Sequence, residues 1–309
     1  MTIQRTAPAA PQTQERTGRP VGAVVLAVAG GLILATVWSH ELVDTKIGAT
    51  VADSMLGHDA KTTSIAGLAA GVLFAFVSGF AGTLTACNIA VFGALPSVAG
   101  APAGRGSRVR AALGGLAWLS VGLLSVAAAY GFIAVLLGTR LPQLSSATVG
   151  AAHMPVRLYQ SMVVFGLIGL AFGYLGLAAF GLVPDPFANR PRTRLIVLGA
   201  LIAGFLVGRP YPLFFKLLGY AVESHNPAYG ALVFVLQAIG NIVLMGVLAL
   251  LIAALTGDRA SAWLAQPRRA ARIAGVSLLL LGVFLVVYWD VRLPALFGHG
   301  WFPEMPWNT

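Results

Sequence analysis

The chain has 309 residues, of which 58% are hydrophobic and only 10% are charged. That balance excludes a soluble globular domain and places the protein among integral membrane proteins. The net charge of +10 reports membrane topology in this class, so no nucleic-acid partner is expected from it.

Residues 1–20, rich in Pro, Gln, Thr and Arg, are too polar to bury a core and are expected to form a disordered cytoplasmic N-terminus. The apolar run 21–39 follows. It has the form of a secretory signal, but Val37 followed by Trp38 is a poor cleavage context, so residues 21–63 read as an uncleaved signal-anchor helix and external loop. A membrane span needs about 20 apolar residues, and six further stretches qualify: roughly 64–98, 111–138, 158–183, 195–220, 228–255 and 273–293. Residues 294–309, with Trp301, Phe302 and Trp307 among prolines, form an external aromatic tail suited to the outer headgroup belt.

The fold class expected is therefore all-α integral membrane with seven transmembrane helices. Basic residues fix its orientation. Arg5, Arg16 and Arg19 precede the first span; Arg105, Arg108 and Arg110 follow the second. Arg190, Arg192 and Arg194 separate the fourth and fifth, and Arg259, Arg268, Arg269 and Arg272 separate the sixth and seventh. These alternate segments hold 13 of the 20 basic residues. The positive-inside rule then puts the N-terminus in the cytoplasm and the C-terminus outside, as in a multi-pass protein of a bacterial cytoplasmic membrane.

Without the first helix, three spans entering from outside (64–183) precede three entering from inside (184–293), the arithmetic of two inverted three-helix repeats. The first span of each half is interrupted. In the first half Gly82-Thr-Leu-Thr-Ala-Cys-Asn-Ile-Ala-Val-Phe-Gly93 runs on to Pro96 and carries Cys87, the single cysteine, beside Asn88. In the second, Gly208-Arg-Pro-Tyr-Pro212 removes two backbone donors and forces local unwinding. Setting Gly82 beside Leu206 places Cys87 opposite Tyr211. Paired interruptions of this kind point to a site at the repeat interface, with Cys87 as the reactive group and Asn88, Arg209, Pro210, Tyr211, Pro212 and Asn241 as substrate-binding residues. Many glycines, such as Gly67/Gly71, Gly166/Gly169/Gly173 and Gly199, lie at helix-packing spacings.

Over residues 64–293 this arrangement resembles the transmembrane electron-transfer family of cytochrome c biogenesis and thiol:disulfide interchange proteins. The likeness rests on Thr85-Ala-Cys87 with Pro96 and on Gly208-Arg-Pro-Tyr-Pro212. It implies that reducing equivalents pass across the membrane to external partners through a cysteine in each repeat. Here the second cysteine is replaced by Tyr211 or a neighbouring proline, and Ala86 stands where the family has proline. One thiol cannot close a disulfide-exchange cycle. The resolving thiol then comes from a thioredoxin-like partner protein or from Cys87 of a second copy in a homodimer, or the fold serves other chemistry. The alternatives are a transporter of a small solute or soft metal ion, and a non-catalytic subunit of a maturation complex. Cys87 as plain packing is an equally ordinary reading of a buried thiol.

Arg209, with Lys216 beyond it, offers a basic vestibule for an anion or an acidic partner. Asn88, Gln237 and Asn241 are amides at membrane depth, suited to interhelical hydrogen bonds. His40, His58, His153, His225 and His299 all fall in external segments without tight ligand spacing; copper or haem binding there is a minor alternative. No phosphate loop, zinc motif or carboxylate pair is present, so no cofactor and no metal site is expected.

Overall fold

The computed structural model describes residues 20–39, 41–83, 104–149, 154–255, 263, 266–303 and 305–308. Its elements are α1 (Val21–Val37), a π-helical turn π1 (Glu41–Gly48) continuing into α2 (Ala49–Leu56), α3 (Leu68–Ala81), α4 (Arg105–Leu137), α5 (Val156–Ala179), α6 (Pro191–Gly208), α7 (Pro212–Glu223), α8 (Pro227–Leu255), α9 (Pro267–Val286), a second π-helical stretch π2 (Val287–Arg292) and the short α10 (Leu293–Leu296). The strands among the described residues are one antiparallel pair, Thr148–Val149 and Met154–Pro155. Four of the helices open on proline, whose missing N–H is one that a first turn leaves unpaired anyway. Asn226 caps α8 as its sequence implies: Oδ1 accepts from the amides of Ala228 (3.1 Å) and Tyr229 (3.2 Å).

Among the described residues five helices are long and apolar enough to cross a membrane, or six if α1 and its bent continuation into α2 count as one span. The protein is an all-α, multi-pass membrane protein. The second expected span, 64–98, is described only to Thr83 and appears as the 14-residue α3. The rest of it, with Cys87, Asn88, Gly93 and Pro96, lies outside the described residues. The segment after α1, expected to be an external loop, contains π1 and α2. Asp53, on α2, accepts the Ala60 amide at 2.6 Å, and Gly57 ends that helix in the left-handed region (φ 74°), which a residue without Cβ enters freely.

The bundle is built from the pairs α4/α8, α5/α9, α4/α6, α3/α8 and α1/α9. Two of the close crossings have the same construction. On α4/α6, a Cβ at Gly122 would strike the Ile196 carbonyl and the Ala200 amide, and one at Gly199 would strike the Leu119 carbonyl and the Leu123 amide. On α3/α8, a Cβ at Gly240 would strike the Phe76 carbonyl and the Phe80 amide, and one at Gly79 the Gln237 carbonyl. In each case the carbonyl belongs to the residue three before the facing glycine, and each amide to the residue one after it. Backbones approach this closely only where both helices lack side chains, the usual association mode in lipid, where burial of apolar groups gives no advantage over the acyl chains. On α1, Gly30 and Gly31 sit against Leu280 and Val283 of α9, so the first helix packs as part of the bundle.

Candidate functional site

The helix break expected at 208–212 is present. α6 ends at Gly208; Arg209 and Tyr211 are extended, with ψ of 129° and 130°. The Tyr211 amide turns back onto the Arg209 carbonyl at 2.8 Å, and α7 starts at Pro212. Two prolines and this turn leave the last carbonyls of α6 without their helical donors. Side chains from other elements replace them. Ser161 Oγ on α5 donates to the Gly208 carbonyl at 2.9 Å, and Gln143 Nε2 donates to the Val207 carbonyl at 2.8 Å. The Tyr130 hydroxyl in turn donates to Gln143 Oε1. The interruption is therefore held in one geometry by hydrogen bonds, and it turns Arg209 inward.

Arg209 faces a cavity of about 540 Å³ at the end of the bundle where α1, α6 and α9 finish and α5 begins. That volume suits a small organic ligand. Arg157 of α5 and Arg292 of π2 also line it, as do Trp38, Phe205, Pro210, Pro212, Phe215, Phe284, Tyr288 and Trp289, while no Asp or Glu does. Arg209 and Arg292 are buried, 8% and 5% exposed. Each guanidinium has an aromatic neighbour: Arg157 lies 5.3 Å from the Phe215 centroid, Arg209 5.1 Å from Tyr211 and Arg292 5.0 Å from Tyr288. Arg292 Nη1 also donates to the Ala35 and Trp38 carbonyls, both at 2.8 Å, which ties the end of α1 to the cavity wall. Phe165, stacked on Trp289 at 4.3 Å, and Trp38, edge-on to Phe284 at 5.7 Å, stiffen the aromatic side.

Of the residues marked in the sequence, Arg209, Pro210 and Pro212 meet here. Tyr211 is buried but turned elsewhere: its hydroxyl lies by Gly48 and has no hydrogen-bond partner. Asn241 is 1% exposed on α8, where its carbonyl accepts from Thr83 Oγ1 at 3.1 Å, away from the cavity lining. Gln237, one turn before it, is fully buried, and its expected interhelical hydrogen bond has no partner among the described residues. Cys87 and Asn88 lie outside the described residues. Lys216 does not join Arg209 in a vestibule. Its ammonium holds the loop above α3, donating to the Ala60 carbonyl (2.6 Å) and those of Lys61 and Thr63, and lies 5.1 Å from the Phe74 centroid.

Arg157, Arg292, Trp38 and the Ser161–Gln143 pair are not singled out by the sequence. A signal for the arginines was available: on the expected topology they stand at the external ends of spans, where the positive-inside rule asks for none. Among the described residues no three His, Cys, Asp or Glu side chains converge on a metal position. No family model, no curated protein and no solved structure matches the chain.

Proposed function

We propose that this protein is a carrier for a small organic anion in a bacterial cytoplasmic membrane, with the arginine cavity as its outward-facing recognition site. The reading rests on one observation, the convergence of Arg157, Arg209 and Arg292 from three separate helix ends onto one aromatic-walled cavity. Cations buried inside a membrane bundle as a rule mark function. Topology accounts for the arginines at the other end of the bundle and not for these. Guanidinium groups favour carboxylate or phosphate, and the indole and phenyl walls favour an apolar body attached to it.

The carrier has seven spans, N-terminus inside and C-terminus outside, with two inverted three-helix repeats after α1. The matched glycine crossings support this: exchanging α3 with α6 and α4 with α8 turns one crossing into the other, Gly79 corresponding to Gly199 and Gly122 to Gly240. The test is binding of benzoate to the full chain in detergent, followed by its uptake into proteoliposomes. Saturable binding that Arg209→Met and Arg292→Met weaken at least tenfold is expected. Absence of benzoate binding by the wild type would remove this reading.

A second reading, thiol electron transfer with a thioredoxin-like partner, is favoured by the same glycine register. It sets Cys87 opposite Val207, directly before the Gly208 break and one helical turn from the Tyr211 alignment. Loss of external thiol reduction or c-type cytochrome assembly in Cys87→Ser, with benzoate binding absent, would select it.

A further inference from the structure

The cavity does not use every ionisable group at its end of the bundle. π2 carries Tyr288 and Arg292 on its cavity side, and Asp290 between them. Asp290 points instead at α5: a Cβ at Gly166 would lie 2.8 Å from Oδ2, and Oδ2 is buried without a hydrogen-bond partner. A helix offers a carboxylate this space only where the facing residue lacks a side chain. The stretch holding it is π-helical, a local widening found most often at functional positions. Among the described residues no ion pair engages Asp290.

Among the described residues, Arg157, Tyr159 and Tyr174 of α5 stand about two turns or more from Gly166 along the helix. α1 has no titratable side chain, and neither does α10. α9 keeps Arg268, Arg269 and Arg272 at its opposite end. Tyr288 and Arg292 face the cavity, and Arg209 lies across it. Carboxylates within membrane bundles mark proton relays, among other functions.

We propose that Asp290 is a proton-carrying residue whose protonation is coupled to occupancy of the cavity by an anion, an inference that rests on the anion-carrier reading. One proton from water converts its carboxylate to the acid as one anion enters, so the occupied site carries no added net charge. The coupling is electrostatic. An anion beside Arg292 repels the Asp290 carboxylate a few residues away, and by linkage protonation of Asp290 strengthens anion binding by the same factor.

The test uses the full chain in detergent with benzoate as the probe, by calorimetry in two buffers of different ionisation enthalpy and by affinity measured between pH 5.5 and 8.5. Wild-type binding takes up about 0.8 proton near the middle of that range and tightens about a hundredfold on acidification, toward the upper end of ordinary site coupling. Asp290→Asn binds benzoate with a pH-independent affinity and takes up no proton, while Asp290→Glu restores uptake. An infrared difference spectrum of the wild type shows a protonated carboxyl band appearing with benzoate, so the idea does not depend on any variant folding. Benzoate binding without proton uptake, without that band, or with both retained in Asp290→Asn, overturns this coupling and leaves the anion site standing. No benzoate binding by the wild type overturns both.

Discussion

Replacing Gly199 by alanine tests the helix arrangement on which the site depends. The new Cβ would lie 2.9 Å from the Leu119 carbonyl carbon and 3.0 Å from the Leu123 nitrogen, and closer still to the Leu119 oxygen. Ordinary contact for carbon is about 3.5–4.0 Å. The atoms met are backbone, so no side chain can rotate away and α4 and α6 must separate by about an ångström. Over-packing of this kind destabilises by about 1–3 kcal/mol. Gly114, on the same α4, has nothing within 4 Å of where a Cβ would stand, and alanine there gains up to about 1 kcal/mol of helix propensity. Equilibrium unfolding of the two variants in mixed micelles should therefore differ by about 2–4 kcal/mol. Gly79→Ala should fall with Gly199→Ala, because its crossing has the same construction. A Gly199→Ala protein as stable as Gly114→Ala would refute the close crossing and the repeat built on it.

Other expectations are as direct. Ser161→Ala and Gln143→Leu each leave an α6 carbonyl without its donor, and should lower stability by about 1–3 kcal/mol while weakening benzoate binding through movement of Arg209; calorimetry reads both. Arg292→Met removes two charge-assisted hydrogen bonds to the end of α1, and proteolysis of the 38–63 segment should accelerate severalfold, whereas Arg157→Met should leave it unchanged. The Asp59 carboxylate accepts from the Lys61 and Thr62 amides, and those bonds hold it below the usual value of 3.8. Its contribution is thus present above that value and lost as pH falls through the lower folded one. Amide exchange at Thr62 should accelerate in that acid window, and Asp59→Asn should abolish the pH dependence.

The break at Gly208–Pro212 was legible because proline and glycine act locally: a missing donor interrupts a helix wherever it stands. Arg209 was legible for a similar reason, as a charge inside an apolar run. The cavity was not, since its other walls come from α1, the first turn of α5 and π2, which only tertiary packing brings together. Trp38 reads in the sequence as a poor cleavage context and Arg292 is not singled out there, and both are walls of the cavity. Lys216 lies on the same segment as Arg209, but the intervening break turns the two cations to different neighbours. The alignment of Cys87 with Tyr211 differs by one helical turn from the one that the matched glycine crossings suggest. Such glycine-to-backbone contacts leave little trace in a sequence when side chains elsewhere differ.

Arg292 grips the Ala35 carbonyl across 257 residues of chain, and the Trp307 indole reaches back to the Val37 carbonyl at 3.0 Å. α1 is thus secured by segments that leave the ribosome long after it. Until π2 docks, the cavity lacks the wall that Tyr288, Trp289 and Arg292 supply, so the bundle closes around this space late in synthesis.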